Sequence, residues 1–219
     1  MVRIGLLHAA VASIAPVNQA IAQQHPDWEP LNLLDDGLQW HFHTGNDDGV
    51  SERLGDLARI ACEEYKCAAL LATCSAARLE IVEKIAYDRG VPCLKIDYPM
   101  CEAAVGTGGV IGIIVSFPPT QAITVATLEE AAKRSQSPLE YKLGLAPEAL
   151  IALNSGDRKK HDDLITAEGE RLAKAGVDSI VLAQVSMAHL GAPLSRHLGL
   201  PVLESLSTSL AALQQQGVN

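Results

Sequence analysis

Ala68-Ala69-Leu70-Leu71-Ala72-Thr73-Cys74-Ser75-Ala76 is an uncharged run of strand length that ends in small polar residues. It lies between two stretches of helical period, Gly49 to Tyr65 before it and Ala76 to Arg89 after it. A short apolar run bounded in this way reads as a buried strand of a parallel sheet, with the helices as crossovers. A similar arrangement recurs further on. Helix Asp157 to Ala175 leads through Gly176-Val177-Asp178 into Ser179-Ile180-Val181-Leu182-Ala183, then Gln184-Val185-Ser186-Met187. Each unit is followed by a helix, a proline and another strand: Gly90-Val91-Pro92-Cys93-Leu94 in the first, Gly199-Leu200-Pro201-Val202-Leu203 in the second. The repetition, about 110 residues apart, implies an internal duplication.

Working outward, the same rhythm predicts strands over Ile4 to His8, Glu29 to Leu34, Ala68 to Thr73, Pro92 to Ile96, Val110 to Ser116, Leu139 to Leu145, Ser179 to Gln184 and Pro201 to Leu203. Further helices are expected over Ala15 to Gln24, Thr120 to Arg134 and Ser205 to Gln215. Glycine at Arg89-Gly90 and Ala175-Gly176 stands where a helix end favours a left-handed residue. The expected fold is α/β: two pseudo-symmetric Rossmann-like halves, each a four-stranded, mainly parallel sheet flanked by helices, with a cleft between them. The expected boundaries are 1–97 plus 206–219 for the first half and 98–205 for the second.

Composition narrows the function. The chain has 219 residues, 48% of them hydrophobic, and a formal charge of −9. That is ample for a buried core. The basic residues are scattered, so no nucleic-acid partner is expected, because phosphate neutralisation needs clustered Lys and Arg. Runs such as Val110 to Val115 are far shorter than the roughly 20 residues that cross a bilayer, so no membrane span is expected. Met1-Val2-Arg3 enters a strand directly without a secretory pattern, and a cytoplasmic location is expected. Gly106-Thr107-Gly108-Gly109 precedes a strand rather than joining strand to helix, which argues against a phosphate-binding fingerprint.

In a parallel sheet, ligands sit at the carboxyl ends of the strands, where helix starts offer free N–H groups. Of the five cysteines, at 62, 67, 74, 93 and 101, only Cys74 falls at such a strand end and stands as the reactive candidate. Cys93 lies within a strand and reads as core. Cys101, in a short helix after Asp97-Tyr98-Pro99-Met100, could approach the cleft. Cys62 and Cys67 lack further ligands for a metal, and neither a metal nor a cofactor is expected. Asp35-Asp36-Gly37 and His41-Phe42-His43 read as a loop that could cover the cleft, or as a plain surface turn.

Leu71-Ala72-Thr73-Cys74-Ser75-Ala76 resembles the first catalytic motif of the aspartate/glutamate racemase superfamily, and Val181-Leu182-Ala183-Gln184-Val185-Ser186 occupies the place of the second. Ile111-Gly112-Ile113-Ile114-Val115-Ser116, running into Pro118-Pro119-Thr120, is similar to the strand that opens that family's second half. The superfamily includes hydantoin racemases, maleate isomerases and arylmalonate decarboxylases. The resemblance implies a cofactor-independent enzyme for a small carboxylate, a possible homodimer, and catalysis by Cys74. It implies substrate contacts at His8, Ser75, Ser116, Thr120, Gln184, Val185 and Ser186, with Cys74 near Gln184 across the cleft. His8 stands where some relatives carry an acidic auxiliary residue; His189 is a more remote partner for the thiol. The serines and threonines have an equally good reading as helix caps.

One departure governs the chemistry. The racemases set two cysteines on opposite faces of the substrate's α-carbon, whereas this chain has glutamine at 184. An amide does not titrate near neutral pH, so it cannot act as acid or base. One-base chemistry, isomerase-like or decarboxylating, is the expectation, with a non-catalytic acid-binding protein as the contrasting one.

Overall fold

A computed structural model of the protein describes residues 1–218. The fold is α/β, with two four-stranded parallel sheets flanked by helices. The first sheet contains β1 (Val2–His8), β2 (Trp28–Leu34), β3 (Ala69–Ala72) and β4 (Cys93–Lys95), in the order β2-β1-β3-β4. The second contains β5 (Val110–Val115), β6 (Glu140–Leu145), β7 (Ser179–Leu182) and β8 (Val202–Glu204), in the order β6-β5-β7-β8. Contacts divide the chain into two compact units, Met1–Ile96 with the segment from Ser209 onward, and Asp97–Thr208.

The strand registers match as well as the order does. Gly5 of β1 pairs with Leu70 of β3, and Leu70 with Cys93 of β4. Gly112 of β5 pairs with Ile180 of β7, and Ile180 with Val202 of β8. Both glycines allow close approach in the middle of a sheet. A Cβ on Gly5 would come within 2.6 Å of Leu70 Cδ2, and one on Gly112 within 3.2 Å of both Ile180 and Leu172. Repeated order, register and tight glycines are what an internal duplication leaves behind.

Successive side chains of a strand point to opposite faces. In β5, Ile111, Ile113 and Val115 join Met100, Cys101, Ala104, Leu128 and Ala131 in one cluster, while Ile114 joins Ala149, Ile165, Leu172, Leu182 and Leu194 in another. The second sheet is therefore covered on both faces, by helices α5 (Tyr98–Thr107) and α6 (Pro119–Ser135) on one side and α7 (Pro147–Asn154), α8 (Arg158–Lys174) and α9 (Gly191–Leu198) on the other. The first unit carries α1 (Ile14–Gln24), α2 (Leu38–Thr44), α3 (Asp47–Arg59) and α4 (Leu79–Arg89), and α10 (Ser205–Gln215) crosses the division between the units. Among the described residues no helix is long and apolar enough to cross a membrane.

Several helices differ from expectation. Residues 38–44, read as part of a loop, form α2, and buried Leu38 anchors it to the first unit's core. Helix α3 begins at Asp47 because the Asn46 side chain accepts from Gly49 N at 3.0 Å, and its continuation, Ile60–Glu64, is wound as a wider π turn. Helix α4 begins at Leu79, not Ala76, since Arg78 is still extended; its guanidinium pairs with Asp47 at 2.9 Å. Pro147–Asn154 was not foreseen as a helix; Pro147 at its first turn is favourable there.

Candidate active site

In the first unit, Cys74 follows β3 by two residues and opens a turn in which Ala77 N donates to Cys74 O at 3.2 Å. The thiol is half-buried against the core cluster of Leu7, Ala72 and Ala77. The helix dipole fades within about a turn, so with α4 starting at Leu79 the thiol does not sit directly on a helix start as expected. Ser75 shares the turn and is half-buried.

Directly before Cys74, Thr73 is tied into a buried network. Its backbone N donates to Leu7 O at 3.0 Å, and its hydroxyl lies 2.8 Å from His8 Nδ1. His8, at the end of β1, is fully buried. Its Nε2 lies 2.9 Å from Asn32 Oδ1 and its Nδ1 lies 2.8 Å from the hydroxyls of both Ser13 and Thr73, which also donate to the carbonyls of Ala10 and Leu7. Burial pushes the imidazole below its ordinary value, against the opposing pull of Asn32. His8 is therefore a neutral ring with both nitrogens engaged, one bond away from the residue that precedes the thiol. The sequence reading had His8 but not its partners. A lone polar Asn32 between Leu31 and Leu33 in β2 was the available signal.

In the second unit, Gln184 follows β7 by two residues. Thr73 N donates to Leu7 O in one unit and Ala183 N to Ile114 O in the other, so the registers give Cys74 and Gln184 equivalent positions. Gln184 Oε1 accepts from Ser116 N at 3.0 Å and from Ser116 Oγ at 3.3 Å, while its buried Nε2 has no hydrogen-bond partner. The carbonyl end of the amide is held and the N–H₂ end is available. Ser116 itself is 1% exposed, which makes it the anchor of Gln184. Thr120 is buried near the start of α6, where its N donates to Phe117 O at 2.9 Å. Val185 and Ser186 are half-buried in the short 3-10 helix Val185–Leu190.

The remaining cysteines separate from Cys74. Cys101, whose helix left open an approach to the cleft, is fully buried in the core beside Met100 and Ala104. Cys93 is core, as its place in a strand implied, and burial pushes its thiol up to about 12. Burial likewise raises Cys67 to about 11 and raises Cys62. These three thiols are protonated at neutral pH and poor nucleophiles.

Two α/β units of one topology, with a thiol at a strand end of the first and an amide at the equivalent place in the second, define a duplicated α/β protein. The Asp/Glu/Hydantoin racemase family model matches residues 12–213, and the chain belongs to that family. No curated protein sequence matches it. Solved structures with the same fold include a glutamate racemase isoform from Bacillus anthracis, at TM-score 0.67 and 17% identity over 99% of this chain and 83% of that one. An allantoin racemase from Klebsiella pneumoniae aligns at TM-score 0.69 and 16% identity, covering 98% and 87%. Arylmalonate decarboxylase aligns at TM-score 0.67 and 15% identity, covering 98% and 92%.

Proposed function

We propose that this protein is a cofactor-independent enzyme that moves a proton at the α-carbon of a small carboxylic acid or amino-acid-like substrate, with Cys74 as its single acid/base. The observation carrying this reading is the pair of equivalent strand-end positions, thiol at 74 and amide at 184. Gln184 has its oxygen occupied by Ser116, so what it offers a substrate is N–H donors, suited to a carboxylate or to the enediolate formed when charge moves onto it. Ser75, Ser116, Thr120, Val185 and Ser186 belong to the same proposal as groups that shape or bind the substrate, and His8 as a group acting through Thr73. Isomerase chemistry is the first assignment, given the racemases among its structural relatives.

Decarboxylation is the second, favoured by one point. Loss of carbon dioxide leaves a carbanion that needs one proton from one face, which a single thiol can deliver, whereas racemisation needs donors on two faces. A cytoplasmic homodimer completes the proposal, and sedimentation of the purified protein tests the dimer. The deciding experiment screens small carboxylic acids, amino acids and hydantoins in deuterated water, following deuterium at the α-position by NMR in the native protein and in Cys74→Ser. Incorporation that disappears with the thiol supports the proposal. Equal incorporation by Cys74→Ser, or none with any acid that binds, refutes it, and the latter result favours a binding protein.

A further inference from the structure

The second unit holds a cluster of side chains that the proposed chemistry does not use. His161, in the first turn of α8, points Nδ1 at Asp162 Oδ1 at 2.7 Å, and His189, in the short helix after β7, points Nε2 at the same oxygen at 2.9 Å. The three ligand atoms lie within 4.8 Å of one another, and among the described residues this is the one group of three or more His, Cys, Asp or Glu side chains so arranged. We propose that His161, Asp162 and His189 form a binding site for a divalent transition-metal ion of the zinc or cobalt type.

Charge is the first support. Among the described residues the ion pairs of Asp162 are with the two histidines, while the neighbouring Lys159 is taken by Asp163 at 2.6 Å. The carboxylate thus faces two imidazoles and, among the described residues, no lysine or arginine lies within ion-pair distance to offset its charge. A divalent cation supplies that offset and would replace the two N–H hydrogens between the rings and the oxygen.

The second support is the behaviour of His161 itself. Its side chain is wholly buried, yet Nε2 has no hydrogen-bond partner. The one polar contact of His161 is directed into the cluster. The rings of His161 and His189 are only 25° from parallel, with centroids 6.2 Å apart, so both approach the carboxylate oxygen in similar orientation.

Geometry and ligand type select the ion. Bonds of roughly 2.0 to 2.2 Å from zinc to nitrogen and oxygen imply donor separations of about 3.4 Å in a tetrahedral site, so the contacts at 2.7 and 2.9 Å need to open by about 0.5 to 0.7 Å. Two imidazoles and one carboxylate suit zinc, cobalt, nickel or copper rather than magnesium or calcium, which prefer oxygen ligands. His189 is 38% exposed, which leaves an open side for entry and for a water ligand. The bound ion would tie the start of α8 to the segment that follows Gln184.

The test uses the full chain after chelator treatment. Cobalt(II) titration is expected to give one equivalent per chain and a visible d–d band, displaced by zinc. Asp162→Asn and His189→Asn are each expected to weaken binding at least tenfold, while the double variant His41→Asn/His43→Asn leaves it unchanged. Because His161 is buried and its replacement can unfold the unit, thermal melts of the His189→Asn variant provide the second readout: zinc should raise the melting temperature of the native protein and not of the variant. Failure of the native protein to take up cobalt, or equal uptake by Asp162→Asn and His189→Asn, overturns the site. Neither readout depends on enzymatic turnover.

Discussion

Gln184 Oε1 accepts both the backbone N–H and the hydroxyl of Ser116, at 3.0 and 3.3 Å, so the side-chain amide at the second unit's strand end has a fixed orientation. Ser116→Ala removes one of these bonds and keeps the other. The loss of one neutral hydrogen bond is worth about 1 kcal/mol, or roughly a fivefold fall in turnover. Gln184→Ala removes the N–H donors themselves and should cost about a hundredfold in kcat, in line with loss of a donor to a developing oxyanion. Deuterium-exchange rates on one substrate rank the two variants. If Ser116→Ala proved as damaging as Gln184→Ala, Ser116 would be doing more than orienting the amide.

Thiol reactivity should sort the cysteines by burial. With Cys67 near 11 and Cys93 near 12, each is a thiolate at pH 8 in about one molecule per thousand or fewer. Iodoacetamide is expected to modify Cys74 first and the two core thiols only after denaturation, with a substrate-like acid protecting Cys74. Peptide mapping against time checks the order, and early labelling of Cys93 would show that β4 opens in the native protein.

His8 makes stability depend on pH in a definite direction. Its folded-state pKa is depressed by burial, so between that value and the ordinary 6.5 the unfolded chain binds the extra proton. Stability contributed by the neutral ring is full above about 6.5, falls as pH drops through that window, and levels off below the folded-state value. His8→Asn should flatten this part of the profile while lowering the plateau by about 1 to 3 kcal/mol, since Asn32, Ser13 and Thr73 lose a shared partner. Denaturant midpoints between pH 7.5 and 5 measure both effects. An unchanged slope in His8→Asn would assign the acid sensitivity to another group.

Glu204 ends β8, an edge strand of the second sheet. Its buried carboxylate accepts from Leu206 N at 2.7 Å and from Ser207 N at 2.9 Å, satisfying the first amides of α10. Glu204→Ala leaves those donors unmet and should destabilise the protein by about 1 to 2 kcal/mol, as other losses of helix caps do. For a chain of this size that corresponds to a fall of about 2 to 8 °C in melting temperature. Glu204→Gln, which keeps one acceptor, should fall between the two.

The central strands β3, β5 and β7 are legible as short apolar runs, and the repeated run at Ala69–Ala72 and Ser179–Leu182 exposes the duplication. Helix starts were less legible. The start of α4 follows an extended Arg78 whose side chain reaches Asp47 across α3 and β3, and no local pattern encodes it. The same limit applies to the sites. The strand-end placement of Cys74 and Gln184 is legible from the runs before them, but the partners of His8 and the convergence of His161, Asp162 and His189 arise only when separate elements are brought together.

The most discriminating prediction concerns stereochemistry in the native protein. A thiol can give and take a proton on one face of a carbanion, whereas the Gln184 amide has none to give at neutral pH. A single enantiomer of a suitable substrate should therefore exchange its α-hydrogen for deuterium with retention, or lose carbon dioxide to yield one product enantiomer, while its mirror image stays unlabelled. Chiral chromatography with mass detection separates these outcomes. Gln184→Cys tests the converse, since it restores a titratable group at the position equivalent to Cys74, and a rise in enantiomer interconversion is expected. A misplacement of about 1 Å can cost a hundredfold, so the native protein gives the stronger test. Rapid interconversion by the unaltered chain, with deuterium entering both enantiomers, would require a second proton donor and refute one-base chemistry at Cys74.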